Sequence, residues 1–270
     1  MNSEISESAG ADAMFFIFDT TPEGRVLVTA SRATIPSAAE AEEFRDYLTA
    51  CGPVSKCDGG DMWGAAGPIL AQREDCVFVS RRELPGMFGH NLFKRSCTAY
   101  QMMNLTVKNK FCGACGAPMR DHAADRARFC PECGNTVYPV LAAAVIVAVE
   151  KDGMLLLGRN VNFPPDRYSV LAGFVEPGET LEEAARREVY EESRVVIKNV
   201  RYFGNQPWPF PNSMMFGFNA DWESGEPTPD EHEITDVRWF EPTSLPNLPP
   251  PISISRKLIN GWLERVAGHI

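Results

Sequence analysis

Residues 173–195 read GFVEPGETLEEAARREVYEESRV and carry the clearest structural signal in this chain of 270 residues. A helix is predicted over residues 181–193, because Thr180 and Glu183 have the spacing of an N-terminal capping box. The preceding Pro177-Gly178 is typical of a rigid loop that leads the chain into such a helix. The segment is therefore predicted to hold one face of a short helix in a fixed position.

That predicted helix face is acidic. Glu188, Glu191 and Glu192 are spaced i, i+3 and i+4, so their carboxylates share one side of the helix. Three carboxylates this close repel one another unless a cation lies between them, and oxygen ligands favour Mg²⁺ or Mn²⁺. Such ions bridge a pyrophosphate and activate water for attack on phosphorus. The alternative is a solvated acidic face, which would not require a rigid loop before it. Arg187 and Glu179 could pair and hold the geometry.

Four of the eight cysteines form two C-x-x-C pairs, Cys112/Cys115 and Cys130/Cys133, with 14 residues between the pairs. Four thiolates at this spacing predict one closed, tetrahedral zinc site with a structural role. Two redox pairs or unrelated cysteines are the alternatives. A more specific functional alternative is that this cysteine-rich segment, a zinc ribbon, binds nucleic acid, but it holds three arginines and few aromatic residues. The favoured interpretation is that the zinc ion stabilises a segment that is too small to form a core of its own.

Charge and composition restrict the functional class. The net charge of −10 argues against non-specific binding of nucleic acid, which needs many lysines and arginines. No apolar run reaches 18 residues, so no membrane span is predicted. Residues 1–13 are polar and lack the pattern of a secretion signal, and they are predicted to be a disordered lead. A cytoplasmic location with reduced cysteines is therefore expected.

The remaining pattern divides the chain into an N-terminal domain over residues 14–109, the cysteine-rich segment over 110–138, and a third domain over 139–270. No chemistry is recognisable in the first domain. Mixed strands and helices predict an α+β fold in which helices cover a sheet. Strands are predicted over residues 15–18, 25–28, 76–80, 141–150, 154–158, 169–171, 195–203, 214–220 and 237–240. Further helices are predicted from Ser37 to about Leu48 and over residues 253–266.

The segment over residues 173–195 resembles the Nudix box, G-x5-E-x7-R-E-U-x-E-E-x-G-U, in which U is bulky and aliphatic. Every fixed position matches except one, where Arg194 replaces glycine. In the family that glycine ends the helix, and glycine there usually takes the left-handed conformation. This conformation costs another residue roughly 1–2 kcal/mol. Because Arg194 is not a metal ligand, modest strain and retained catalysis are expected.

A second segment, QPWPFPNS over residues 206–213, begins 11 residues after the box ends. Its three prolines predict a stiff loop, and Trp208 and Phe210 offer flat faces for stacking. A proline-rich surface turn with a packed tryptophan is the alternative. The segment is similar to the S-Q-P-W-P-F-P-x-S signature of the NADH pyrophosphatase subgroup of Nudix hydrolases, and only Asn205 differs. The zinc ribbon, residues 172–174 and the Leu-Pro-Pro-Pro sequence over 248–251 belong to the same subgroup.

This resemblance implies a Nudix α/β/α sandwich preceded by a zinc ribbon and a mixed α/β N-terminal domain. It implies hydrolysis of the diphosphate of NAD(H) to NMN(H) and AMP, removal of NAD caps from RNA 5′ ends, and a homodimer in which Trp208 reaches across the interface. The implied catalytic and metal-binding residues are Arg187, Glu188, Glu191, Glu192, Glu233 and the Ala172 carbonyl, with two or three Mg²⁺ or Mn²⁺ ions. The implied substrate-binding residues are Tyr138, Phe174, Gln206, Pro207, Trp208, Pro209, Phe210, Pro211, Asn212, Ser213 and Ser255.

Two other functions remain open at the level of sequence. The first is a broader Nudix enzyme that acts on ADP-ribose or another dinucleotide, against which the intact proline-aromatic segment speaks. The second is a catalytically weak protein that binds NAD or RNA ends, and Arg194 is its only support.

Overall fold

The computed structural model describes residues 13–19, 21, 24–29, 34–37, 41–54, 61–67, 70 and 76–267. The chain divides into two compact units, Met1–Val140 and Leu141–Ile270. Almost all of the predicted N-terminal lead lies outside the described residues. Over the described part of the chain, no helix is both long and apolar enough to cross a membrane.

The first unit contains a five-stranded sheet with the order β3-β4-β1-β2-β5. Its strands are β1 (Phe15–Phe18), β2 (Val26–Thr29), β3 (Leu48–Pro53), β4 (Met62–Ala66) and β5 (Cys76–Val79). Its helices are α1 (Ala41–Phe44), which a 3-10 turn over Arg45–Tyr47 follows, and α2 (Leu84–Lys108). The sequence predicts β1, β2 and β5 but misses β3, β4 and α2.

The helix predicted from Ser37 is shorter than expected. Ser37 forms a β-bridge with Met14. The rest of the predicted capping box, residues 38–40, lies outside the described residues. Regular helix ends at Phe44, and the chain is already extended in β3 from Leu48.

The cysteine-rich segment forms a three-stranded sheet of its own, with the order β6-β7-β8. These short strands are β6 (Arg120–Asp121), β7 (Arg128–Phe129) and β8 (Thr136–Val137). Its small core consists of Cys112, Met119 and Cys130. Two of these three residues are predicted metal ligands, so the segment depends on its cysteines for much of its interior.

The second unit contains a six-stranded sheet with helices on both faces. Its elements are β9 (Ala142–Lys151), β10 (Met154–Asn160), β11 (Leu171–Phe174), α3 (Leu181–Ser193), β12 (Val196–Trp208), β13 (Ser213–Ser224), β14 (Ile234–Phe240) and α4 (Ile254–Ala267). The order is β12-β13-β9-β10-β14, and β11 pairs with β9. Strands β9 and β10 form the predicted hairpin.

Strand β9 is apolar along most of its length because both of its faces are covered. Val145, Val147 and Val149 pack in the core that contains α3. The alternate residues Ile146 and Ala148 pack in the core that contains α4, around Trp262. Side chains of a strand alternate between its two faces, so one strand contributes to both cores. The predicted α/β/α sandwich is confirmed.

Two sequence predictions in this unit need correction. The segment over residues 206–213 is the end of a hairpin and not a separate loop: Gln206–Trp208 belongs to β12, Ser213 begins β13, and Trp208 pairs with Ser213. The short strand predicted over 169–171 lies further along the chain, at Leu171–Phe174. Ser169 forms only an isolated bridge with Gly158.

Candidate active site and metal centre

Helix α3 begins as the sequence predicts. The Thr180 hydroxyl accepts the backbone N–H of Glu183 at 3.2 Å, and a Glu183 carboxylate oxygen accepts the backbone N–H of Thr180 at 2.8 Å. These reciprocal bonds satisfy two backbone donors that the first turn leaves open. The cap therefore fixes where the helix starts, and with it the direction of the acidic face.

Arg187 connects the loop before α3 to the acidic face. Its Nε and Nη2 donate to the two oxygens of Glu179 at 2.6 and 2.8 Å, and Nη2 also donates to the Phe174 carbonyl at 2.8 Å. Its Nη1 donates to Glu188 at 2.8 Å and to Glu191 at 3.0 Å. The hydrogen bonds from Arg187 hold the pKa of Glu179 at about 2. The predicted Arg187–Glu179 pair is confirmed, and it is bidentate.

Glu192 is the buried member of the acidic face. Its side chain accepts the backbone N–H of Ala172 on β11 at 3.2 Å. Burial, and then the charge of Glu188, raise the pKa of Glu192 to about 8. The N–H and C=O of one strand residue point to the same side of the strand. The Ala172 carbonyl, a predicted metal ligand, therefore lies on the side of β11 that faces Glu192.

Glycine at position 173 makes room for Glu188. A Cβ built on Gly173 would lie 1.9 Å from the carboxyl carbon of Glu188 and about as close to both of its oxygens, at 2.0 and 2.2 Å. The carboxylate thus occupies the space of the missing side chain, directly against β11. Burial raises the pKa of Glu188. This reason for the glycine is not visible in the sequence, although the fixed glycine of the box marks the position.

Glu233 lies in the turn before β14, and Asp230 precedes it in the same turn. After burial and Glu188, the negative charges of Glu233 and Asp230 also raise the pKa of Glu192, so both carboxylates lie near the buried glutamate. The metal-binding role of Glu233 stays a prediction. Asp230 is missed at the sequence level, because its sequence neighbourhood carries no motif for it.

The donor set at this face consists of carboxylates and one backbone carbonyl. Hard oxygen ligands of this kind fit Mg²⁺ or Mn²⁺ and not a thiophilic metal. Within the described residues, the four ribbon cysteines are the only group of three or more His, Cys, Asp or Glu side chains whose ligand atoms all lie within 4.8 Å of one another. Arg187 instead holds Glu188 and Glu191 in ion pairs, at 2.8 and 3.0 Å.

The predicted substrate residues divide into two kinds. Gln206 and Ser255 are buried and make internal hydrogen bonds. The Gln206 amide donates to the Ile252 carbonyl at 2.7 Å and accepts the Ile254 N–H at 2.6 Å, and the Ser255 hydroxyl contacts that of Ser169 at 2.7 Å. Gln206 therefore ties the hairpin end to the start of α4.

Four of the other predicted substrate residues are aromatic. Phe174 is 58% exposed at the end of β11. Trp208 and Phe210 form an edge-to-face pair with ring centroids 5.1 Å apart. Tyr138 belongs to the first unit, where its hydroxyl donates to Asp125 at 3.1 Å. The described hairpin end also carries the remaining predicted residues, Pro207, Pro209, Pro211, Asn212 and Ser213.

Arg194 ends helix α3 in the left-handed conformation that the box reserves for glycine, with φ 60° and ψ 13°. Its backbone N–H donates to the Tyr190 carbonyl at 2.8 Å. Its guanidinium carbon lies 5.4 Å from the centroid of the Tyr190 ring. The left-handed conformation is confined to the corner itself, and Glu188, Glu191 and Glu192 lie within the regular helix before it.

The four ribbon cysteines fit a tetrahedral metal site. The Cys112 and Cys133 sulfurs are 3.6 Å apart, and those of Cys115 and Cys130 are 3.5 Å apart. Four sulfurs placed 2.3 Å from a zinc ion would be about 3.8 Å apart. Gly116 and Gly134 follow the two pairs at φ 77° and 76°, and these turns aim both sulfurs of each pair inward.

Comparison with known proteins identifies the same class of protein that the sequence motifs resemble, the Nudix hydrolases. Residues 139–260 match the NUDIX domain family, and residues 108–138 match the NADH pyrophosphatase zinc ribbon domain. In fold, the chain is similar to a NUDIX hydrolase from Nitrosomonas europaea, with 24% identity and a TM-score of 0.50 over 58% of this chain and 91% of that chain. The second unit is therefore a Nudix hydrolase domain.

More similar relatives define the family. The chain is 43% identical to the NAD-capped RNA hydrolase NudC of Deinococcus radiodurans, over 96% of this chain and 91% of that protein. It is 45% identical to the NAD-capped RNA hydrolase NudC of Chromobacterium violaceum, over 77% of this chain and 75% of that protein. The chain belongs to the NudC family of zinc-ribbon Nudix hydrolases.

Proposed function

We propose that this chain is a metal-dependent diphosphatase that hydrolyses NAD(H) to NMN(H) and AMP and that cleaves the same bond in NAD-capped RNA. The observation that carries this proposal is the placement of the half-buried Glu188 and the buried Glu192 against Ala172-Gly173 of β11. The names of the relatives support the substrate class.

The chain's own residues have separate roles in this reaction. Glu188, Glu191 and Glu192, with the Ala172 carbonyl and Glu233, would hold two or three Mg²⁺ or Mn²⁺ ions. When bound, these ions neutralise the diphosphate and activate the attacking water. Arg187 keeps the helix and the preceding loop in register through its bidentate bond to Glu179. The water oxygen joins one phosphorus, the bridging P–O bond breaks, and two monophosphates leave.

The register of the sheet supports a nucleotide pocket beside these carboxylates. Phe174 pairs with Ala144 on β9, and Ser213 at the hairpin end pairs with Ala142 on the same strand. The exposed Phe174 ring and the Trp208–Phe210 pair therefore lie at the same end of β9. Flat aromatic faces near a diphosphate site suit a base or a nicotinamide ring, which binds by stacking.

The family resemblance also suggests an assembly. We propose a homodimer in which Trp208 contributes to the pocket of the partner subunit. Zinc is the proposed metal of the ribbon, with one ion per chain. A cytoplasmic location is proposed from the sequence-based expectation of reduced cysteines.

Substrate preference tests the proposal. The full chain is given NADH, NAD⁺, NAD-capped RNA and ADP-ribose, with Mg²⁺ and separately with Mn²⁺, and kcat/KM is measured for each. The proposal expects NAD-type substrates to exceed ADP-ribose, because only they carry a second base-like ring for the aromatic pocket. Equal or faster hydrolysis of ADP-ribose would favour the broader dinucleotide enzyme. Binding of NAD without turnover in either metal would favour the catalytically weak protein.

A further inference from the structure

The turn before β14 is organised by one carboxylate, that of Asp230. Its Oδ1 accepts three successive backbone N–H groups, from His232 at 3.3 Å, Glu233 at 3.1 Å and Ile234 at 2.8 Å. Its Oδ2 also lies 3.3 Å from the Glu233 nitrogen. The Asp230 carboxylate thus binds the backbone of residues 232–234, which is the segment that carries Glu233.

The same turn adopts a backbone conformation that needs support. Glu231 has φ 64°, in the left-handed region that residues with a side chain rarely adopt. Its N–H donates to the Ile234 carbonyl at 3.1 Å, which closes the turn. On the far side, the Glu233 carbonyl accepts the N–H of Val161 at 2.8 Å, which ties the turn to the end of β10. Bonds from both sides therefore define the position of Glu233.

We propose that Asp230 is a positioning residue, which fixes this turn so that the Glu233 carboxylate faces Glu188 and Glu192 and completes the divalent-metal site. The inference rests on the proposed function, in which Glu233 is a metal ligand. Asp230 is half-buried, and its oxygens already accept backbone N–H groups, so it acts through Glu233 and not as a further ligand. Outer-shell groups of this kind orient metal ligands and tune their affinity.

Four variants of the full chain separate this role from the effect of charge. Asp230→Ala removes the acceptor, whereas Asp230→Asn keeps a carbonyl oxygen that can accept the same N–H groups. Glu231→Gln is the matched control, because it removes one negative charge from the same turn and leaves every bond to Asp230 in place. Glu233→Gln serves as the reference for loss of the ligand itself.

The first readout is Mn²⁺ binding without substrate, followed through the paramagnetic resonance signal of free Mn²⁺. The second is hydrogen exchange of the amides of residues 232–234. Asp230→Ala is expected to weaken Mn²⁺ binding about 10- to 100-fold, in the range for lost outer-shell partners, and to speed exchange at these amides. In both Mn²⁺ binding and hydrogen exchange, Asp230→Asn is expected to stay closer to the unsubstituted parent protein than Asp230→Ala does. Glu231→Gln is expected to match the parent.

Two results would overturn the inference while leaving the proposed function intact. In the first, Asp230→Ala binds Mn²⁺ as the parent does although Glu233→Gln binds it weakly. In the second, Asp230→Asn loses as much Mn²⁺ affinity as Asp230→Ala, which would make the charge of Asp230, or direct ligation, the cause. If Glu233→Gln itself binds Mn²⁺ normally, the proposed metal role of Glu233 fails, and the inference fails with it.

Discussion

Substitution of Gly173 by alanine should displace Glu188, a proposed metal ligand, without changing its chemistry. The new Cβ would lie 1.9 Å from the Glu188 carboxyl carbon, so the carboxylate must leave its place on β11. It would then lose the 2.8 Å bond from Arg187. Because the colliding atoms are the far end of a flexible side chain, the loss of stability should be near the lower end of the about 1–3 kcal/mol typical of overpacking. Loss of an outer-shell partner of a metal ligand typically lowers activity about 10- to 100-fold. Displacement of the proposed ligand itself should lower it at least as much, so we expect about a 100-fold fall in kcat.

The assay is NADH hydrolysis at saturating Mn²⁺, with thermal unfolding of the same preparations. Gly204→Ala in β12 is the matched control, because a Cβ there would meet no atom of the described residues within 4 Å and the backbone is not left-handed. The control should retain parental turnover and melting temperature. Gly173→Ala with parental turnover would refute the reasoning, since Glu188 would then not need its observed position.

A double variant isolates the cause. If the cost of Gly173→Ala is the collision with Glu188, then Glu188→Ala in the same chain removes the colliding group. Stability should return toward that of Glu188→Ala alone, with an interaction energy of about 1 kcal/mol or more between the two sites. Strictly additive losses of stability would show that the glycine is required for some other reason. Activity should stay low in both Glu188→Ala variants, whatever happens to stability.

Three further outcomes are expected. The first concerns pH, with chelator present to remove metal ions. Burial, and then the charge of Glu188, raise the pKa of Glu192 from 4.5 to about 8. The stabilising contribution of the protonated Glu192 is therefore fully present below about pH 4.5 and is lost as the pH rises through about 8. Glu192→Gln should abolish that loss, which is roughly 5 kcal/mol at most, and should remove most activity. If urea unfolding in chelator showed that the stability of the unsubstituted protein does not change over this pH range, the prediction would be wrong. Cys130→Ser should lower the melting temperature, whereas a zinc-free variant as stable as the parent would argue against a structural site. Trp208→Ala should raise KM for NADH roughly 5- to 150-fold, from a stacking energy of about 1–3 kcal/mol, and an unchanged KM with a lower melting temperature would mean that the ring only packs within its own subunit.

The site could be predicted from sequence wherever its geometry is local. Helix α3, its Thr180–Glu183 cap and the pairing of Arg187 with Glu179 all follow from short spacings, and all are present. The four cysteines also converge because two short turns are enough to aim them. In these places, the sequence distance between partners is small, so few conformations compete.

The rest depends on contacts between elements that are distant in sequence. Gly173 meets Glu188 only because β11 packs beside α3, and Asp230 matters only where its turn approaches Glu192. Helix α2 escapes prediction for another reason. Its first turns contain a proline and two glycines, and Gly89 interrupts the helix at φ 82°, so the sequence pattern there is that of a loop.

Arg194 departs from the family pattern without changing the course of helix α3. The corner keeps the left-handed geometry of the box, so the cost of roughly 1–2 kcal/mol falls on stability and not on the position of Glu192. Neighbouring backbone supports this geometry from outside the helix. The Thr228 N–H donates to the Ser193 carbonyl at 2.9 Å, and a Cβ on Gly225 would lie only 2.4 Å from the Arg194 carbonyl oxygen. A side chain at position 225 would therefore collide with the corner, so the close packing of this turn against Arg194 requires glycine at 225.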